Sequence, residues 1–146
     1  MVNANAVKNW ILAALAASGG FLSNMLGGWD MLLQVLIVIM AVDIITGWIV
    51  AGVFHKSPKT ETGALDSKIG FKGLFKKFSV LLLILVAAQL DKAIGGSFSR
   101  TAVMLFFCGN EGLSILENLA LMGIEYPAFL KNALEALKKK DDNDVE

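Results

Sequence analysis

The sequence predicts an all-α integral membrane protein with three or four transmembrane helices and a short amphipathic, cytoplasmic C-terminal helix. Three observations predict it. Hydrophobic residues make up 55% of the 146-residue chain and charged residues 18%, with a mean hydropathy of +0.63. A soluble domain of this size needs more polar surface, because it cannot hide most of its area. The apolar residues fall in runs close to the ~20 that cross a bilayer core, and the lysines gather in one short loop and near the C-terminus. The length points to one membrane domain over residues 1–146.

Residues 9–29, "NWILAALAASGGFLSNMLGGW", form the first apolar stretch. On a helical wheel, Trp10, Ile11, Leu12, Leu15, Phe21, Leu22, Met25, Leu26 and Trp29 take one half. Ala13, Ala16, Ala17, Gly20, Ser23, Asn24 and Gly27 take most of the other. A small-residue face lets helices approach closely within lipid, whereas at the membrane surface the same pattern gives an interfacial helix. A cleaved signal peptide is a third reading, against which a single lysine, Lys8, makes a poor basic n-region.

Residues 31–54 run for 24 positions with one charge, Asp43, and give the strongest transmembrane helix. Residues 55–77 hold six lysines against two acids, with Ser-Pro and Thr-Gly turn signals. Short lysine-rich loops stay in the cytoplasm. Residues 78–94 give a second span with Asp91 and Lys92 at its end, and residues 101–124 a third. The connection "GGSFSR" then lies outside, and the C-terminus returns inside. Residues 127–140 read as an amphipathic helix whose stripe is Phe129, Leu130, Ala133, Leu134 and Leu137, with Pro127 in its first turn. The acidic end, residues 141–146, lacks an apolar pattern and reads as disordered.

Several functions lack their residues. Cys108 is the lone cysteine, so no internal disulfide or cysteine metal cluster forms. The single histidine, His55, sits beside Lys56 in a loop and reads as solvated. No nucleophile–base set, phosphate loop or paired-cysteine motif occurs, so neither an enzyme nor a cofactor is expected. The balanced charge gives no sign of nucleic acid as a partner.

The polar residues inside the apolar runs carry the functional signal. Asn110, Glu111, Ser114, Glu117 and Asn118 share an arc of roughly 120° on the wheel, opposite Phe107, Cys108, Gly112, Ile115, Leu116 and Leu119. A charge at the bilayer centre costs roughly 2.5–3.5 kcal/mol on insertion scales, so this face should meet other helices or water. Asp43, with Thr46 and Gly47, forms a second polar patch, and Gly47 and Ala51 make a small-xxx-small pair. Two readings stay open: these groups fix the bundle by intramolecular hydrogen bonds, or they mediate oligomerisation and come to line water. Lys68, Lys72, Lys76 and Lys77 read as topology signals that also attract anionic lipid, each worth about 1 kcal/mol near the surface.

Four segments resemble the toxin-secretion/phage-lysis holins of Gram-positive bacteria and their phages: "DIITGWIVA" (43–51), "DSKIGFKGLFKK" (66–77), "NEGLSILEN" (110–118) and "GIEYPAFLKNALEAL" (123–137). The resemblance covers roughly residues 31–140 in order, and "NEGLSILEN" is its most specific part. It implies a multi-pass protein of the bacterial cytoplasmic membrane that assembles with itself into lesions. Through these an endolysin (a peptidoglycan hydrolase) or a toxin passes as cargo. It also leaves open an antiholin or scaffold subunit, and a small-hole depolarising channel.

Overall fold

A computed structural model of the protein describes residues 3–139, so Lys140 and the expected acidic tail, residues 141–146, lie outside the described residues. The described chain is helical: α1 Ala4–Met25, α2 Met31–Ile49, α3 Ser67–Ile94, α4 Phe98–Leu121 and α5 Ala128–Lys139. Local chemistry sets these limits. Asn3 caps α1 by accepting from the Asn5 amide at 3.1 Å, and Asp30 caps α2 by accepting from Leu33 at 2.9 Å. The α2 helix widens into a π-helical turn, Val50–Phe54, and stops at His55, which is left-handed with φ 50°.

The lysine-rich segment departs from expectation. Only residues 55–66 form the loop, and α3 begins at Ser67, eleven residues before the expected span. Asp66 starts it by accepting from the amides of Lys68 (2.7 Å) and Ile69 (3.2 Å). Phe71, Leu74 and Phe75 then join the helical pattern of the following apolar run, so no signal separates them from it. At 28 residues α3 is about 42 Å long, longer than the ~30 Å bilayer core. The loop is itself folded: the Ser57 amide donates to Gly63 O at 3.0 Å, and the Thr60 hydroxyl donates to Ala64 O at 3.0 Å. Gly63 has φ 69°, and a Cβ there would lie 2.1 Å from His55 O, so this tight return accepts only glycine.

The core lies where α2, α3 and α4 meet, in Leu33, Leu36, Met40, Val80, Ile84, Met104 and Cys108. The α4 helix packs on both α2 and α3, while α2 and α3 barely touch each other. An apolar cleft of about 520 Å³ separates those two, lined by Ile37, Met40, Ile44, Phe71, Phe75 and Phe78. Two helical segments, Met31–Phe54 and Ser67–Ile94, are long and apolar enough to cross a membrane, and only 28% and 17% of their apolar windows are buried. Their outward residues, Val38, Ile45, Trp48, Leu82, Val86 and Leu90 among them, suit lipid rather than water. The expected third span forms a helix of suitable length, α4, made less apolar by Arg100, Asn110, Glu111, Glu117 and Asn118.

The turns at one end are tied together. The buried Arg100 donates from Nη2 to Gly28 O at 3.0 Å, from Nη1 to Asp30, and from Nε to Leu26 O. Asp91 caps α4 by accepting from the amides of Ser99 (2.9 Å) and Arg100 (2.8 Å). Gln89 Nε2 donates to Met25 O at 2.6 Å, and Lys92 Nζ to Asn24 O at 2.7 Å. Gly27 has φ 85°, and a Cβ would meet the Arg100 side chain at 2.8 Å. Beyond this knot α1 has no buried residue. The α5 helix, expected as a short amphipathic cytoplasmic helix over residues 127–140, folds back along α4, with Leu134 seated on Gly112.

Candidate functional site

Far from the turn knot, three helices bring a polar cluster into their shared interior. Asp43 comes from α2, Lys77 from α3, and Glu111 and Asn118 from α4, with both acids and Asn118 buried. Lys77 Nζ donates to Asp43 Oδ2 at 2.8 Å and also to Glu111 Oε2. Asn118 Nδ2 donates to Asp43 Oδ1 at 3.2 Å and to Thr46 Oγ1 at 3.0 Å, and the Thr46 hydroxyl donates in turn to Asp43 O at 3.1 Å. Gly47 faces Asn118, and a Cβ there would lie at ordinary contact distance, 3.8 Å, from Nδ2. No buried side-chain nitrogen or oxygen among the described residues lacks a partner, as a polar group in an apolar bundle requires.

The helical repeat accounts for this grouping. Glu111 and Asn118 are seven residues apart, about 20° around the helix, and both turn inward. Asn110 and Glu117 lie about 100° or more from Glu111, at the other edge of the polar arc. Glu117 is exposed, Asn110 and Ser114 are half-buried, and none of the three has a hydrogen bond or ion pair within the described residues. The expected single polar face is thus split, one edge satisfied inside the chain and the other left outside.

Lys77 requires a correction. It was expected to act with Lys68, Lys72 and Lys76 as a topology signal, and those three are indeed exposed. Its own side chain is 12% exposed and holds two carboxylates. The signal was present: in a helix starting at residue 67, Lys77 falls within about 20° of Ile84 and Ala88, on the buried stripe. Arg100, placed by sequence in an outside connection, is likewise buried and structural.

A cavity of about 320 Å³ reaches the cluster from the loop side. Asp43, Lys77 and Asn118 form its floor, Trp48 and Ile69 part of its wall, and Pro58 part of its roof. Two acids and one base, joined by hydrogen bonds across three helices, hold α2, α3 and α4 to one another.

Comparison with known proteins places the chain in a family. The model of the bacteriophage holin family matches residues 20–139. An uncharacterized protein of Listeria monocytogenes is 36% identical over 129 residues, covering 88% of this chain and 86% of its own. An uncharacterized 14.9 kDa protein of Clostridium perfringens is 36% identical over 136 residues, covering 92% and 97%. A probable holin of Bacillus phage phi105 is 33% identical over 115 residues, covering 78% and 79%. No solved structure matches the chain. The family match takes in all three helices of the cluster, and together with the two apolar helices it points to the membrane. The chain belongs to the bacteriophage holin family.

Proposed function

We propose that this chain is a holin that oligomerises in the bacterial cytoplasmic membrane and opens lesions through which a peptidoglycan hydrolase, or a toxin, escapes. One observation carries the reading beyond family membership: Asn110, Ser114 and Glu117 sit unpartnered within the described residues on a helix packed among membrane-type helices. Facing hydrocarbon, a carboxylate costs roughly 2.5–3.5 kcal/mol at the bilayer centre and less toward the helix end where Glu117 lies. Against a second copy, or lining water, the edge is satisfied. The geometry of a hole supports the same conclusion. A lesion about 50 Å across has a rim of about 160 Å and takes on the order of 16 helices at ~10 Å each, so no single chain makes one.

In this reading α2, α3 and α4 cross the membrane. The exposed Lys68, Lys72 and Lys76 keep the start of α3 and the loop before it in the cytoplasm. The Arg100 knot lies at the outer side, and α5 rides on the cytoplasmic half of α4. The α1 helix, about 33 Å long, makes a fourth pass and returns the N-terminus to the cytoplasm.

The test is induced expression beside a folded cytoplasmic hydrolase, recording membrane potential and released enzyme together. Abrupt depolarisation with enzyme release is expected. Depolarisation without release indicates small holes, and a selective, saturable current indicates an ion channel. Neither signal, with the protein in the membrane, contradicts the proposal and favours an antiholin or scaffold.

A further inference from the structure

The first half of α3 is held to the rest of the chain in an unusual way. Its buried residues begin only at Val80. From Ser67 to Ser79 it borders the apolar cleft that separates it from α2, lined on its side by Phe71, Phe75 and Phe78. Among the described residues, the hydrogen bonds and ion pairs that join this half to α2 and α4 are those of Lys77. Lys77 also lines the floor of a cavity whose far side is the 57–66 loop. A lysine ammonium is compact, well hydrated and carried on a flexible stem, so it can withdraw along that cavity in a way a packed apolar side chain cannot.

We infer that Lys77 is the releasable pin of a latch. Seated on Asp43 and Glu111, it holds α3 closed against α2 and α4. Withdrawn, it frees the first half of α3 to swing away at the packed segment that starts at Val80. That movement uncovers Asp43, Glu111 and Asn118, and the polar surface of α4 widens from one edge to the full arc. The closed chain has a narrow polar edge to offer a neighbour, and the open chain has both. This inference rests on the lesion-forming reading and assigns the step that precedes opening to one side chain.

The test bridges α2 to the first half of α3. A Cβ at Gly70 would lie 4.0 Å from Trp48 Nε1, so Trp48→Cys with Gly70→Cys places two thiols about one tryptophan side chain apart. That is too far for a direct disulfide but suits a short, reducible bis-methanethiosulfonate reagent. The full chain, with Cys108→Ser, is reconstituted in phosphatidylglycerol–phosphatidylethanolamine vesicles loaded with a self-quenched dye. The bridged protein should release no more dye than protein-free vesicles, and reductant should restore release in the same sample. Release by the bridged protein at the unbridged rate overturns the latch and leaves the lesion reading intact. No release from the wild type and the reduced variant alike overturns the lesion reading, and the latch falls with it. As a second arm, Lys77→Met should shorten the lag before release while Lys77→Arg keeps it. A Lys77→Met lag equal to or longer than the wild-type lag contradicts the pin.

Discussion

Lys76 and Lys77 are chemically identical neighbours with opposite surroundings. Lys76 is exposed, whereas Lys77 spans two buried carboxylates on two other helices. Removing one partner of a buried ion pair leaves an uncompensated charge, a loss of about 3–5 kcal/mol. Lys77→Met should therefore lower unfolding stability in detergent by that order, and Lys76→Met should leave it unchanged within ~0.5 kcal/mol. Equal effects would mean that the head group of Lys77 is solvated. Asn118→Leu removes the bonds to Asp43 and Thr46, and hydrogen bonds between membrane helices contribute about 0.6–1.7 kcal/mol each. A loss of about 1–3 kcal/mol is expected in the same assay. Asp43, Thr46, Glu111 and Asn118 were legible in the sequence, because polar residues in apolar runs stand out. Which edge of the α4 arc turns inward was not legible. The wheel gives an arc, and only the approach of α2 and α3 chooses an edge of it.

At the scale of the elements, the helices themselves were legible and their meetings were not. Apolar runs announce α2 and α4, but the start of α3 was placed at residue 78 because lysines were read as loop. Moving it to Ser67 puts Lys77 on the inner stripe. The two long-range docks, Arg100 on the 26–30 turn and Leu134 on Gly112, involve residues whose spacing carries no local signature. The Arg100 guanidinium beside Asp30 holds its carboxyl below the ordinary value of 3.8. Asp30 therefore supports the knot above that value and loses its contribution only as pH falls through it toward the lowered one. Trp29 fluorescence should report an acid transition below 3.8 that is absent in Asp30→Asn. A transition of the wild type at or above that value would contradict the pairing. At the other dock, a Cβ on Gly112 meets Leu134 Cδ2 at 2.6 Å. Gly112→Ile should loosen α5 and speed proteolysis after Lys131, and Leu134→Ala should reverse that effect. Unchanged proteolysis would show that α5 does not rest on this glycine.

The whole molecule presents two surfaces of different purpose. The apolar flanks of α2 and α3 suit lipid, and their composition was plain from the sequence. The α4 helix, which contacts every neighbour except α1 to a substantial degree, carries the polar residues that lipid disfavours. Its inner edge binds the chain together through Lys77, and its outer edge is proposed to bind copies to one another. The two edges should separate in experiment. Asn110→Leu with Glu117→Leu should leave folding intact and abolish lesion formation, because the outer edge supports no described intramolecular bond. Loss of folding in that double variant would place the edge inside the bundle instead.

The most direct measurement is cysteine crosslinking along α4 in membranes of induced cells, with Cys108→Ser as background. Single cysteines replace Asn110, Ser114, Glu117, Glu111 and Asn118 in turn, and dimers are scored under mild oxidation before any loss of membrane potential. The account predicts dimers at 110, 114 and 117, with 111 and 118 silent. Dimers at 111 and 118 with 110 and 117 silent would reverse the two edges of α4 and contradict it.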